Sequence, residues 1–223
     1  MSTRTRLPEV VLFDLDGTLL DSAPDMLATV NRMRATRGHA PMALADLRPN
    51  VSRGARAMAQ AAFPDWTVEQ VADAVPEFLS IYAEELGRHG AAFEDIDPLL
   101  ETLEAAGTRW GIVTNKPEAL ARALLPLLGW QQRCAVLIGG DSLPERKPHP
   151  LPLLHAAQAM DVSPQQCVYV GDDARDIAAA RAADMRSVVA LWGYRLPDDD
   201  PALWGGDVSV QQVRQLLQPD AWP

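Results

Sequence analysis

The chain has 223 residues, 48% hydrophobic and 22% charged, a composition that supports a sizeable core and excludes intrinsic disorder. Its formal net charge of −10 argues against a nucleic-acid or anionic-membrane surface, and no apolar run is long enough to span a bilayer. Two cysteines, Cys134 and Cys167, lie far apart without a CxxC or a nearby histidine cluster, so neither a disulfide framework nor a zinc site is indicated.

Near the N-terminus, Arg4 and Arg6 precede an apolar run that enters acidic sequence without a small-residue cleavage site, so no signal peptide is expected and a cytoplasmic location is the default. That run, Val10-Val11-Leu12-Phe13, leads straight into Asp14-Leu15-Asp16-Gly17-Thr18 and reads as a buried strand ending in a tight loop. An ionised carboxylate is costly there unless a metal or a cation compensates it. Strand alternation places Asp14 and Asp16 on the same face, where they converge on one ligand. A metal-assisted reaction with one Asp as nucleophile is the working hypothesis.

From Ser22 the hydrophobic period becomes helical, with Met26, Leu27, Val30 and Met33 on one face and Gly38 placed to end the helix. The helical character persists to about residue 92. Thr67-Val68-Glu69-Gln70 has the form of a capping box, and Pro76 is expected to break or kink the next helix ahead of a turn carrying Phe78, Tyr82 and Leu86. Gly87, Gly90, Asp95, Asp97 and Pro98 mark a linker. Strand and helix then alternate, with a helix over Pro98 to Ala106 closed by Gly107 and a strand from Trp110 to Thr114. A helix from Glu118 to Leu128 follows, interrupted near Pro126 and ended by Gly129. Further strands are expected at 135–138, 168–170 and 188–191, with helices at 151–160 and 173–183 between them.

Five buried-type strands joined by helices imply an α/β fold, a Rossmann-like doubly wound parallel sheet with an all-helical unit inserted after the first strand. The expected division is a core of residues 1–21 and 93–223 and a helical insert of residues 22–92. Ligands of such sheets bind at the carboxyl ends of the strands, where Asp14, Asp16, Thr114, Asn115, Asp172 and Asp173 gather. Each feature alone has an ordinary explanation as a turn, a helix start or, for Lys147, a surface lysine. Independent turns, however, have no reason to place carboxylates, a hydroxyl and an amine after successive parallel strands.

The chain resembles the haloacid dehalogenase superfamily of aspartate-nucleophile phosphatases. Four motifs carry the resemblance in that family's order: Asp14-Leu15-Asp16-Gly17-Thr18, Val113-Thr114-Asn115-Lys116, Lys147-Pro148 and Gly171-Asp172-Asp173-Ala174-Arg175-Asp176. It implies that residues 22–92 are a small mobile cap. It also implies that Asp14 attacks phosphorus to form an aspartyl-phosphate, while Asp16 protonates the leaving alkoxide and then takes a proton from water. Thr114 and Lys147 would face the phosphate. Mg²⁺ would be held by Asp14, the Asp16 backbone carbonyl and Asp172. Asp176 would orient Lys147 or a metal-bound water, with Asp173 the weaker metal candidate of its pair. Lys116, one residue past its motif, is expected as a solvated lysine beside a helix start. His39, His89, His149 and His155 lack any mutual spacing for a metal or a triad.

Specificity must come from the cap, where Asn50 to Met58 is a turn with two arginines entering an Ala-rich helix. Arg53 and Arg56 suit a carboxylate or phosphate, Arg53 being slightly favoured, and Asn115 is a further candidate substrate contact. The nearest look-alikes are phosphoglycolate phosphatases and relatives acting on N-acetylmuramic acid 6-phosphate. The 52–58 segment and the tail Gly193-Tyr194, Pro197, Asp200-Pro201 and Trp204-Gly205-Gly206-Asp207 tilt toward the latter. Phe93-Glu94-Asp95-Ile96-Asp97 stands where relatives commonly have a Pro-Gly turn, which puts the hinge geometry in question. The expected partner is a small-molecule phosphate ester, the expected assembly a monomer or homodimer. A phosphosugar mutase is the same-fold rival, a dehalogenase would not need Asp172, and a phospho-receiver signalling domain would carry neither the cap nor a second Asp two residues after the first.

Overall fold

The computed structural model describes residues 7–223, so Arg4 and Arg6 lie outside the described residues. The central sheet has six strands, β1 (Val10–Phe13), β4 (Arg109–Val113), β5 (Leu137–Ile138), β6 (Cys167–Gly171), β7 (Arg186–Ala190) and β8 (Val208–Val210). Their order across the sheet is β5-β4-β1-β6-β7-β8, and every neighbouring pair is parallel. The helices α5 (Ile96–Ala105), α6 (Glu118–Leu127), α7 (Leu151–Ala159) and α8 (Ala174–Ala182) provide the crossovers.

β1 shows why the sequence reads as one uninterrupted apolar run. Val11 and Phe13 join a buried cluster with Leu99, Leu103, Trp110 and Leu124 on one face of the sheet. Val10 and Leu12 join Leu153, Ala156, Tyr169 and Ala180 on the other. All four β1 side chains are essentially inaccessible, each stabilising the fold by ~1.5–3 kcal/mol relative to exposure. A strand covered on both faces has no reason to alternate polar and apolar residues.

Between β2 (Leu20–Asp21) and β3 (Ala91–Ala92) lie α1 (Ala23–Thr36), α2 (Leu44–Leu47), a 3₁₀ turn over Arg48–Arg53, α3 (Ala55–Ala62) and α4 (Val68–Glu85). They bury a cluster of their own, including Met26, Val30, Met33, Met58, Phe78 and Tyr82, into which Tyr194 reaches from the far end of the chain. Thr67 and Gln70 form the expected capping box, and Gly38, at φ +72°, follows α1.

Three expectations change. The helix containing Pro76 runs unbroken over Val68–Glu85. Pro76 sits on the exposed face, so the carbonyl it leaves unbonded is on the solvent side while Val71, Ala74, Phe78 and Tyr82 keep the opposite face packed. β8 is a sixth strand, a three-residue edge piece too short to show a period. The 87–97 segment that leaves the helical unit is not a plain linker, because its Ala91 and Ala92 pair with Asp21 and Leu20 in an antiparallel ribbon. The buried Asp25 carboxylate reinforces this crossing by accepting the N–H groups of Gly87 (2.8 Å), His89 (2.6 Å) and Gly90 (3.0 Å). Asp95 takes the left-handed conformation, φ 67°, just before α5.

Candidate active site

β4, β1 and β6 are the three adjacent strands whose carboxyl ends supply the site. Register aligns Phe13 with Ile112 on one side and Val170 on the other, so Asp14, Thr114 and Asp172 leave the sheet at nearly the same level. Asp14 lies just past β1, and its N–H still donates to the Val170 carbonyl at 2.9 Å. Its Oδ1 accepts from the Leu15 N–H at 2.7 Å and pairs with Lys147 Nζ at 2.9 Å.

Lys147 arrives from the loop before α7 and is buried, its side chain 2% exposed. Its ammonium contacts Asp14, Asp176 Oδ1 (2.7 Å) and the Tyr169 hydroxyl (2.8 Å), and that hydroxyl donates in turn to the Val113 carbonyl (2.7 Å). Burial works against the lysine's charge, but the two carboxylates outweigh it and hold its pKa above the usual range. Burial also pushes Asp176 up to about 7, assisted by Asp14 and Asp173 and opposed by Lys147. Asp172, fully buried, is driven well above the usual carboxylate range by desolvation first and then by Asp14 and Asp176.

Asp172 is cradled closely. Oδ1 accepts from Thr18 Oγ1 (3.0 Å), while Oδ2 accepts from the Tyr194 N–H (2.9 Å) and from Ser52 Oγ (3.2 Å), the last on the helical unit. A Cβ on Gly17, which also has φ +89°, would lie 2.2 Å from Asp172 Oδ2, and one on Gly193 would lie 2.2 Å from Asp172 Cβ. Glycine at both positions lets the backbone close around this carboxylate. Asp14, Asp172 and Asp176 bring one oxygen each to within 4.8 Å of one another. Three buried carboxylates, two of them with pKa values raised by burial first and then by neighbouring carboxylates, fit a hard divalent cation such as Mg²⁺. Asp173 caps α8 and pairs with Arg175 at 2.7 Å, and that pairing holds its pKa below the usual range against burial.

Asp14, Asp16, Thr114, Asn115, Lys147, Arg53 and Arg56 all line one cavity of about 450 Å³ between the strand ends and the helical unit. The Thr114 hydroxyl accepts from the Lys116 N–H at 3.3 Å, which leaves its own proton free to donate. Asn115 Nδ2 donates to the Lys147 carbonyl at 3.0 Å, while its Oδ1 is buried without a partner. Arg53 and Arg56 are exposed on the helical side. Asp14 and Asp16 reach the same cavity, but not by strand alternation. β1 stops at Phe13, the following residues turn with the Leu19 and Leu20 N–H groups on the Leu15 carbonyl, and the Asp16 side chain lies outside the carboxylate cluster.

Lys116 is not solvated. Its side chain is 2% exposed, and its Nζ lies 3.0 Å from both Asp16 oxygens and donates to the Tyr82 hydroxyl of α4. No local signal marks it, because its acid partner Asp16 lies 100 residues away in sequence. The roles of Tyr169 and Tyr82 were also missed, because one hydroxyl on an otherwise apolar strand or helix face looks like packing, and Ser52 and Tyr194, though within segments singled out in sequence, were not expected to hold Asp172.

A family model described as haloacid dehalogenase-like hydrolase matches residues 11–190. A phosphoglycolate phosphatase of Xanthomonas campestris pv. campestris (strain 8004) is 62% identical, covering 98% of this chain and 99% of its own. An N-acetylmuramic acid 6-phosphate phosphatase of Pseudomonas aeruginosa is 41% identical over 96% of this chain and 95% of its own. A crystal structure described as a predicted phosphoglycolate phosphatase from Haemophilus somnus 129pt matches with a TM-score of 0.83 at 26% identity, covering 97% of this chain and 98% of that one.

Proposed function

The chain belongs to the haloacid dehalogenase-like hydrolases and is a phosphatase, and we propose that it hydrolyses a small phosphorylated carboxylate through a phosphoryl group carried on Asp14. The observation that carries this reading is the Lys147 ammonium bridging Asp14 and Asp176 beside Asp172, with Thr114 and Asp16 on the same cavity. Leu15 N–H and Lys147 both engage Asp14 Oδ1, which fixes the carboxylate and leaves Oδ2 to attack phosphorus. The P–O ester bond breaks as the Asp14 O–P bond forms, and Asp16 gives its proton to the departing alkoxide. Water then attacks the same phosphorus, passing a proton to Asp16, and inorganic phosphate leaves with Asp14 restored.

Thr114 and Lys147 match the charge that builds on the phosphoryl oxygens. Mg²⁺ held by Asp14 and Asp172, with Asp176 behind them, would neutralise part of that charge. Residues 22–92 act as the cap and residues 1–21 and 93–223 as the core. The two unpaired cysteines fit a reducing compartment, and a cytoplasmic location is part of the proposal.

Within the substrate class, N-acetylmuramic acid 6-phosphate is favoured. The cavity is large for 2-phosphoglycolate, and its helical wall offers Met26, Val51, Met58, Phe78 and Leu79 as well as Arg53 and Arg56, which suits a bulky acid with apolar substituents. The name of the 62%-identical relative supports 2-phosphoglycolate as the second reading. A side-by-side measurement of kcat/KM on both compounds and on simple hexose phosphates decides between them. Equal, low values on all would sink the dedicated role.

A further inference from the structure

Asp16 is held from a direction that the proton-transfer reading does not require. Lys116 Nζ sits at 3.0 Å from each of its oxygens, an arrangement that fixes the plane of the carboxylate as well as its position. The lysine is itself pinned, since its next contact is the hydroxyl of Tyr82, 2% exposed on α4. Asp16 and Lys116 belong to the loops after β1 and β4, whereas Tyr82 belongs to the helical unit, and all three line the same cavity. A flexible lysine held at both ends transmits the placement of α4 to the Asp16 carboxylate.

We propose that Lys116 and Tyr82 are positioning residues that set Asp16 for proton transfer to the leaving group. This rests on the reading of Asp16 as acid and base given above. Departure of an alkoxide needs a delivered proton, whereas a nitrophenolate departs without one. A defect in Asp16 placement is therefore selective for alkyl esters, and a general structural defect is not.

The test compares kcat/KM on two alkyl esters, N-acetylmuramic acid 6-phosphate and 2-phosphoglycolate, with kcat/KM on 4-nitrophenyl phosphate. Lys116→Met is expected to lose about a hundredfold on the alkyl esters and less than about threefold on the aryl ester. Tyr82→Phe keeps the buried ring, removes only the hydroxyl, and is expected to lose about tenfold on the alkyl esters with the same selectivity. Should Lys116→Met fail to fold by circular dichroism, Tyr82→Phe decides alone. Equal losses on both ester types overturn the proposal. Asp16→Asn separates the two levels: if it is not alkyl-selective, the acid–base reading falls and takes this inference with it. If Asp16→Asn is selective and the Lys116 and Tyr82 variants are not, only the positioning role is lost.

Discussion

The two walls of the cavity are built on different principles. On the core side the charges at the strand ends are buried and engaged: Lys147 by Asp14, Asp176 and Tyr169, and Asp172 by Thr18, Ser52 and Tyr194. On the helical side Arg53 and Arg56 are exposed among Val51, Met58, Phe78 and Leu79. Phosphoryl transfer asks for fixed charge at fixed positions, which adjoining parallel strand ends supply. Recognition of the remainder of the substrate asks for shape and a counter-charge, which long side chains on a helical surface supply. The contrast is consistent with one wall serving the chemistry and the other the choice of ester.

Asp14→Asn, on the fixed wall, should show the largest effect, a fall in kcat of more than about 10³-fold with the fold retained. Turnover near the wild-type rate would remove Asp14 as nucleophile. Lys147→Met leaves Asp14 and Asp176 buried without their shared cation and should cost about 3–5 kcal/mol of stability in denaturant titration. A loss below about 1 kcal/mol would show that this wall is not held by its ion pairs.

Arg53→Ala, on the opposite wall, should raise KM for a carboxylate-bearing ester about tenfold while leaving kcat and Tm nearly unchanged. A large drop in kcat instead would mean that the division between walls is wrong. The smallest effect concerns pH. Asp176, raised by burial to about 7 from an ordinary value of 3.8, binds its proton more tightly in the fold than in the unfolded chain. The resulting stability is present below the ordinary value and is lost as pH rises through about 7. The Tm of the metal-free protein should therefore fall relative to that of Asp176→Asn across this range, and a constant difference would contradict the assignment.

Much of this was legible in sequence because it is local. The uninterrupted apolar run of β1, the 3.6-residue period of α1, the Thr67–Gln70 capping box and the strand-end carboxylates each declare themselves within a few residues. Pro76 misled because its ring faces solvent, which depends on which side of α4 is packed. β8 was invisible because three residues at a sheet edge have pattern only through their partner β7.

The sequence by itself determined a parallel α/β sheet with a helical insertion and a set of residues, Asp14, Asp16, Thr114, Lys147 and Asp172, whose chemistry points to phosphoryl transfer. Only the tertiary structure decided how they are shared out. It placed Asp14, Asp172 and Asp176 within one cluster, sent the Asp16 side chain to Lys116, and brought Tyr82 and Ser52 of the helical unit onto the strand-end loops. The physical reason is separation along the chain: Ser52 and Asp172 are 120 residues apart, and Lys116 and Asp16 are 100 apart. A buried lysine and a solvated one have the same local sequence, and only the packing of distant elements determines whether water or a carboxylate is the partner.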